Sequence, residues 1–430
     1  MQWYKSLSFT QKMLVAMIAG AILGIVLGSV DSFKGWVEVY LSFGLFDIIG
    51  KLFVNSLKML VVPLVFCSIA VGVSSLANIS LMGRVGLKAI IIYLFTTAIA
   101  ISLALIVAIT INPGKGLDIA DTSEFTVKEA PSITSVITSI IPSNPVLAMA
   151  EGEMLQIILF SILLGVAITL SASAGEPIKK GLQSLNSIMM AMVNIVMKFA
   201  PLGVFCLIAK TFATQGVSMI IPLASYFFTV ATVLLLHVLI TYSVLLKVIA
   251  KVSPIIFIKK MRDAIVFAFS TASSNATIPV TLNTVEKKLG VDKAVASFTV
   301  PLGATINMDG TAIMQGVATV FIASVYQVDL SLVDYLTVIL TATMASIGTA
   351  GVPGVGLIML TMVLAQVGLP VEGIALIIGI DRLLDMMRTA VNITGDSMVS
   401  IITAKSEKSF DEKIFLDVSK YKTNKSDIKL

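Results

Sequence analysis

The chain is poor in charge and has almost no histidine or cysteine. Only 13% of its 430 residues are Asp, Glu, Lys or Arg, about half of what a soluble domain carries. Hydrophobic residues make up 57% and the mean hydropathy is +0.99. That balance excludes an ordinary soluble domain and points to a chain that crosses a membrane repeatedly. Cys67 and Cys206 stand singly in apolar stretches, so there is no disulfide framework and no thiolate metal spacing. His237 is the only histidine, which leaves a Ser-His hydrolase or a zinc protease little to build on. It lies in Val233-Leu-Leu-Leu-His-Val-Leu-Ile240, where a packed or carbonyl-bonded role is expected and a proton relay is the alternative. No nucleophile-base arrangement stands out, so an enzyme is not expected. The first apolar run has the length of a full span and no small-residue cleavage pattern follows it, so a cleavable signal is not expected. The net charge of +5 reflects basic loops on one membrane side and implies no nucleic-acid partner.

Apolar spans are expected near residues 12–30, 43–74, 86–112, 145–172, 184–209 and 220–250. With the N-terminus inside, Lys5 and Lys12, Arg84 and Lys88, Lys179 and Lys180, and Lys247 through Arg262 all fall in the cytoplasm, while the acidic connection at 113–144 falls outside. This is the positive-inside bias. Residues 257–295 then hold two short apolar arms around Ser270-Thr-Ala-Ser-Ser-Asn-Ala-Thr-Ile-Pro279, with lysines at both ends; they predict a re-entrant hairpin entering from the cytoplasm. Residues 335–370 repeat the design around Ala345-Ser-Ile-Gly-Thr-Ala-Gly-Val-Pro-Gly-Val-Gly356 with acidic flanks, predicting a hairpin that enters from outside. Between them runs a span at 294–325, broken at Asn307-Met-Asp-Gly310. Paired interrupted segments of opposite entry suggest inverted repeats around a midplane site. Close helix packing at small residues is the alternative.

The last span carries the strongest signal. Asp381, Asp385, Arg388, Asn392 and Asp396 recur at helical spacing and form one polar stripe. A charge at bilayer depth costs about 2.5 to 3.5 kcal/mol even on the lenient insertion scale, so the stripe must face protein, water, ions or a substrate. Arg388 offers a bidentate fork for a carboxylate, and Asp385, one turn earlier, could receive an ammonium. Hairpin-tip amides favour an anion. Exposed carbonyls with Asn307, Asp309 and Asp396 make an oxygen set suited to sodium. A ligand with two carboxylates and one amine fits all of these; an internal Asp385–Arg388 ion pair is the other reading.

These segments closely resemble the dicarboxylate/amino acid:cation symporter family, which includes the glutamate transporters, and most closely its prokaryotic sodium-coupled branch for acidic amino acids. The resemblance runs from Lys58-Met-Leu-Val-Val-Pro-Leu-Val-Phe66 through Ile141-Pro-Ser-Asn144 to the last span. Its most specific motifs are Ser273-Ser-Asn-Ala-Thr277, Asn307-Met-Asp-Gly-Thr311, Gly348-Thr-Ala-Gly-Val-Pro-Gly354 and Asp385-Met-Met-Arg-Thr-Ala-Val-Asn392. It implies an all-α polytopic membrane protein of eight transmembrane helices and two re-entrant hairpins. It further implies a homotrimer, in lipid, whose protomers each work by an elevator mechanism. Residues 1–85 and 113–219 would form the scaffold, 86–112 and 220–404 the moving transport domain, and 405–430 a cytoplasmic tail. The second hairpin would be the extracellular gate.

Position by position, the resemblance implies substrate contacts at Ser273, Ser274, Met308, Thr311, Val352, Gly356, Asp385, Arg388, Thr389 and Asn392. It implies one sodium at Gly303, Asn307, Asn392 and Asp396, and a second at Thr305 with Ser346, Ile347 and Thr349. A third would use Tyr93, Thr96, Thr97, Asn307 and Asp309. Two departures stand out. Ala272 and Met386 occupy the positions where archaeal and animal relatives carry an extra arginine, so this chain is expected to lack a cation there. Gln315 replaces the glutamate of proton-coupled animal carriers, and an amide cannot carry a proton. The expectation is sodium-coupled uptake of aspartate or glutamate in a prokaryotic cytoplasmic membrane, with both termini inside. A C4-dicarboxylate, neutral amino acid or proton-coupled carrier of the same fold is the alternative, and an ion channel a further one.

Overall fold

The structure, a computed structural model, describes residues 7, 9–29, 44–75, 82–115, 141–347, 349 and 351–417. Lys5, most of the connection expected at 113–144, Gly348 in its motif and the tail past Asp417 lie outside the described residues. Sixteen α-helices carry the described fold. The first three are α1 (Phe9–Ser29), α2 (Asp47–Ser75) and α3 (Met82–Ile111). The short α4 (Pro145–Glu151) starts where Asn144 accepts from the N–H groups of Val146 and Leu147, with Pro145 in the first turn; both residues suit a helix start. It leads into α5 (Met154–Leu170) and the 40-residue α6 (Glu176–Gln215), which is about 60 Å long at 1.5 Å per residue. The sixth expected span is α7 (Ile220–Leu236), a π-helical turn at His237–Tyr242, and α8 (Ser243–Val248).

Both hairpins are helical. α9 (Pro254–Thr271) ends at Ala272, whose φ of 51° turns the chain, and α10 (Ser274–Lys287) begins under the Ser273 hydroxyl, which accepts from the Ala276 N–H. The broken span is α11 (Lys293–Ile306) and α12 (Asp309–Val325), parted by extended backbone at Asn307. α13 (Leu332–Ser346) opens with a reciprocal Ser331/Asp334 cap, and α14 (Val355–Gln366) starts after Gly354 at φ 85°. The charged stripe lies on α15 (Ile374–Ser406), followed by α16 (Glu412–Leu416).

Six helices among the described residues are long and apolar enough to cross a membrane: residues 11–29, 44–74, 84–111, 172–214, 220–248 and 293–325. Two of the eight expected spans differ. α5 is 17 residues long, and α15, at 33 residues, is interrupted by its own charges. With this composition the chain is a multi-pass membrane protein.

The helices pack in two groups. α1 and α2 lie along α6 and α5 packs on α2, whereas α3, α7 and both hairpins surround the broken helix α11–α12 and α15. The central position of α11–α12 shows in its burial: 94% of its most apolar stretch is buried, against 50% or less in the other five spans. Within the first group, Gly20, Gly24 and Gly28 repeat one helical face of α1. A Cβ on each would press on the Phe205, Ala209 and Ala213 carbonyls of α6 at 2.5–2.7 Å. The absence of side chains is what lets the two backbones touch, as in small-residue membrane packing.

Gly24→Val is therefore expected to push α1 off α6 and to cost about 1–3 kcal/mol, the usual penalty of overpacking. Thermal denaturation in detergent checks this; an unchanged melting temperature would mean the α1–α6 contact is not this tight.

Candidate functional site

The two hairpin tips meet. The Ser273 hydroxyl donates to the Gly351 carbonyl at 2.7 Å, and the Asn275 N–H donates to the same oxygen at 3.1 Å. A Cβ at Gly351 would sit 2.9 Å from both the Ala304 carbonyl and Ser274, so the second tip is wedged between the first tip and the end of α11. The second tip also reaches α15: the Gly354 N–H donates to Asp385 Oδ2 at 3.2 Å. At Gly356 a Cβ would stand 3.2 Å from Arg388 Nη2 and 3.3 Å from Thr311. The second tip thus joins two sets of residues: Ser273 and Ser274 meet it at Gly351, and Asp385, Arg388 and Thr311 meet it at Gly354 and Gly356.

Arg388 is buried, 1% exposed, and points back along α15, the usual direction for a long helical side chain. Its Nη1 donates to Asp381 Oδ1 at 2.8 Å and its Nη2 to Asp385 Oδ1 at 2.8 Å. Asp385 is shared, because Arg382 Nη1 donates to its other oxygen at 3.4 Å. The expected lack of an extra cation is corrected here: Arg382, one turn before Asp385, brings a second guanidinium to the site. The charged groups face one another, which is the internal ion-pair arrangement, widened to two arginines and two aspartates. The crevice beside them is about 20 Å³, room for a water-sized body and too small for an amino acid.

A second cluster lies deeper and is made of oxygens. Asn307 Nδ2 donates to Asp396 Oδ1 at 2.8 Å and to the Asn392 carbonyl at 3.0 Å, while the Gly310 N–H donates to Asn392 Oδ1 at 2.8 Å. A Cβ on Gly303 would collide with Asp396 Oδ1 and approach the Tyr93 hydroxyl at 2.8 Å. Asn307 Oδ1 and Asp396 Oδ2 are buried without a hydrogen-bond partner. Two unmatched buried acceptors are costly, and a cation or a donor bound between them would satisfy both. No group of three or more His, Cys, Asp or Glu side chains gathers among the described residues, so the set suits a singly charged hard cation better than zinc or calcium.

Asp309 joins this cluster to α3 and α7. Its Oδ1 accepts from Thr97 at 2.6 Å and faces Thr96 at 3.4 Å; its Oδ2 accepts from Tyr242 at 2.8 Å and meets His237 Nε2 at 3.1 Å. His237 is packed as expected, but its partner is a carboxylate and not a carbonyl. The π-helical turn at His237–Tyr242 presents both side chains to the same oxygen. Neither residue could be assigned from local pattern, since their partner lies 72 and 67 positions away. Arg382, by contrast, was readable from its spacing to Asp385.

The other expected residues are less converged. Met308 Sδ receives Asn392 Nδ2 at 3.3 Å, and Thr389 bonds the Asp385 carbonyl. Tyr93 donates to the Thr299 carbonyl at 3.0 Å. Thr305 and Ser346 bond back to their own helices, while Thr349, just past α13, donates to the Ala345 carbonyl and the Ile347 N–H to that of Met344. Val352 packs on the core.

A model of the sodium:dicarboxylate symporter family matches residues 9–406. A proton/glutamate-aspartate symporter of Escherichia coli is 35% identical, the match covering 94% of each chain. A proton/sodium-glutamate symport protein of Bacillus caldotenax is 35% identical over 91% of this chain and 94% of its own length. A C4-dicarboxylate transport protein of Bacillus subtilis is 33% identical over 96% of each.

The arrangement at Asp309 is open to test apart from these likenesses. Tyr242→Phe removes one donor from a buried carboxylate and is expected to destabilise the protein by about 1–3 kcal/mol. Unfolding in detergent measures it, and a loss near zero would show that the phenol does not support Asp309.

Proposed function

The chain belongs to the sodium:dicarboxylate symporter family, and from that premise we propose that it is a sodium-coupled symporter of aspartate and glutamate. The observation that carries this reading is Arg388, a buried guanidinium where the second hairpin, the broken helix and α15 converge. The side-chain carboxylate of the substrate takes the fork that Asp381 and Asp385 now share, and its ammonium takes Asp385. Asp385 exchanges one cation for another while Asp381 keeps a share of Arg388, which limits the 3–5 kcal/mol that breaking a buried pair costs. The unpartnered Asn307 Oδ1 and Asp396 Oδ2 support a sodium site beside it, with Gly303 and Asn392. Thr96, Thr97, Tyr93 and Asp309 support another. Sodium is cargo in this scheme, bound and released with the substrate.

For movement, the seam between the α6 group and the α12–α15 group supports an elevator in which residues 86–112 and 220–404 slide past residues 1–85 and 113–219. The second hairpin, which touches Asp385 and Arg388 directly, serves as gate. A homotrimer in a prokaryotic cytoplasmic membrane, with both termini inside, completes the proposal. Proton coupling is the second reading, favoured by the ion named for the Escherichia coli relative; Gln315, an amide where the proton-coupled animal carriers have a glutamate, argues against their route.

Uptake of labelled aspartate into proteoliposomes, with sodium and proton gradients imposed separately, decides between them. Accumulation driven by sodium alone is expected, and accumulation that needs only the proton gradient would overturn sodium coupling. Arg388→Ala is expected to lower aspartate transport at least about 100-fold, as loss of a buried charged contact to a carboxylate does, while sodium still binds to the purified protein. Wild-type transport by that variant would remove the carboxylate site.

A further inference from the structure

Asp385 stands between two arginines, three residues from each. Arg388 holds Oδ1 at 2.8 Å, and Arg382 approaches Oδ2 at 3.4 Å, beside the Gly354 N–H at 3.2 Å. The approach of Arg382 runs toward the C-terminus of α15, against the direction that long helical side chains ordinarily take. The side chain is only 9% exposed. The walls that α1, α2 and α6 give its crevice are Met13, Phe53, Leu57, Met197 and Ala200. Asp381 and Asp385 line the same crevice, and Asp385 is the carboxylate that Arg382 meets.

From this geometry we infer that Arg382 is a specificity-determining residue, a built-in cation that competes with the ammonium of the substrate for Asp385. The inference rests on the carboxylate site proposed above. An acidic amino acid brings its own cation to Asp385 and must displace or share with Arg382. A dicarboxylate without an amine brings none, and Asp385 stays satisfied only if Arg382 remains. Arg382 thus handicaps the amine-bearing ligand and makes the amine-free one tolerable, and the balance of the two is set by one side chain that touches neither ligand carboxylate. Without it, a buried carboxylate facing an amine-free ligand has a single arginine, already committed to Asp381 and to that ligand.

The test is calorimetric binding of aspartate and of succinate to the purified full-length protein in saturating sodium, comparing wild type with Arg382→Met and Arg382→Lys. In Arg382→Met, aspartate is expected to bind about threefold to tenfold more tightly and succinate at least about tenfold more weakly, shifts typical of one gained or lost charged contact. Arg382→Lys, which keeps the charge, is expected to restore the succinate affinity in part. A structural defect would weaken both ligands together, so constants that move in the same direction, or do not move, overturn the inference. Wild-type protein that binds neither ligand would instead defeat the carboxylate site itself. If Arg382→Met does not yield folded protein, the same two constants are read from Arg382→Gln.

Discussion

Within two turns of α15 the chain places Asp381, Arg382, Asp385 and Arg388, and all four are buried. Each alone would be expelled from an apolar interior, but together they sum to zero and share hydrogen bonds of 2.8–3.4 Å. A helix with such a stripe cannot face lipid. It needs walls, and the hairpins and α12 supply them. The unusual parts of the fold follow from that need: short paired helices, a broken span, and a centre far more buried than the flanking spans.

Irregular backbone at that depth brings its own requirement, since each unpaired amide or carbonyl must find a partner. The partners are polar groups of the same core. Gly351 O takes two donors from the first tip, the Gly354 N–H takes Asp385, and the Gly310 N–H takes Asn392. The same contacts that hold the loops also fix Asp385 and Asn392. In the proposed transport scheme, a ligand that took one of these groups would loosen a tip as well.

Lower in the same core, Asp309 links α3, α7 and α12 through four side chains. One carboxylate oxygen is claimed by Tyr242 and His237, which leaves the other turned toward Thr96 and Thr97. The π-helical turn widens α7 where those two outer donors must lie side by side. Such insertions are common at functional positions.

By itself the sequence determined the membrane character, the charged stripe with its spacing, the two small-residue tips and the break at Asn307. All of these are local, written in composition and in a 3.6-residue period. Thr96 and Thr97 were visible only through likeness, because a hydroxyl on an apolar helix looks the same whether or not it has a distant partner. Which partner each group takes was decided by the tertiary structure. Arg388 turns to Asp381 as well as Asp385, His237 meets a carboxylate from a helix far along the chain, Arg382 enters the seam, and one hairpin tip lies on the other. The physical reason is that a buried polar group binds whichever complementary group packing brings within about 3 Å, and that approach is set by the docking of whole helices.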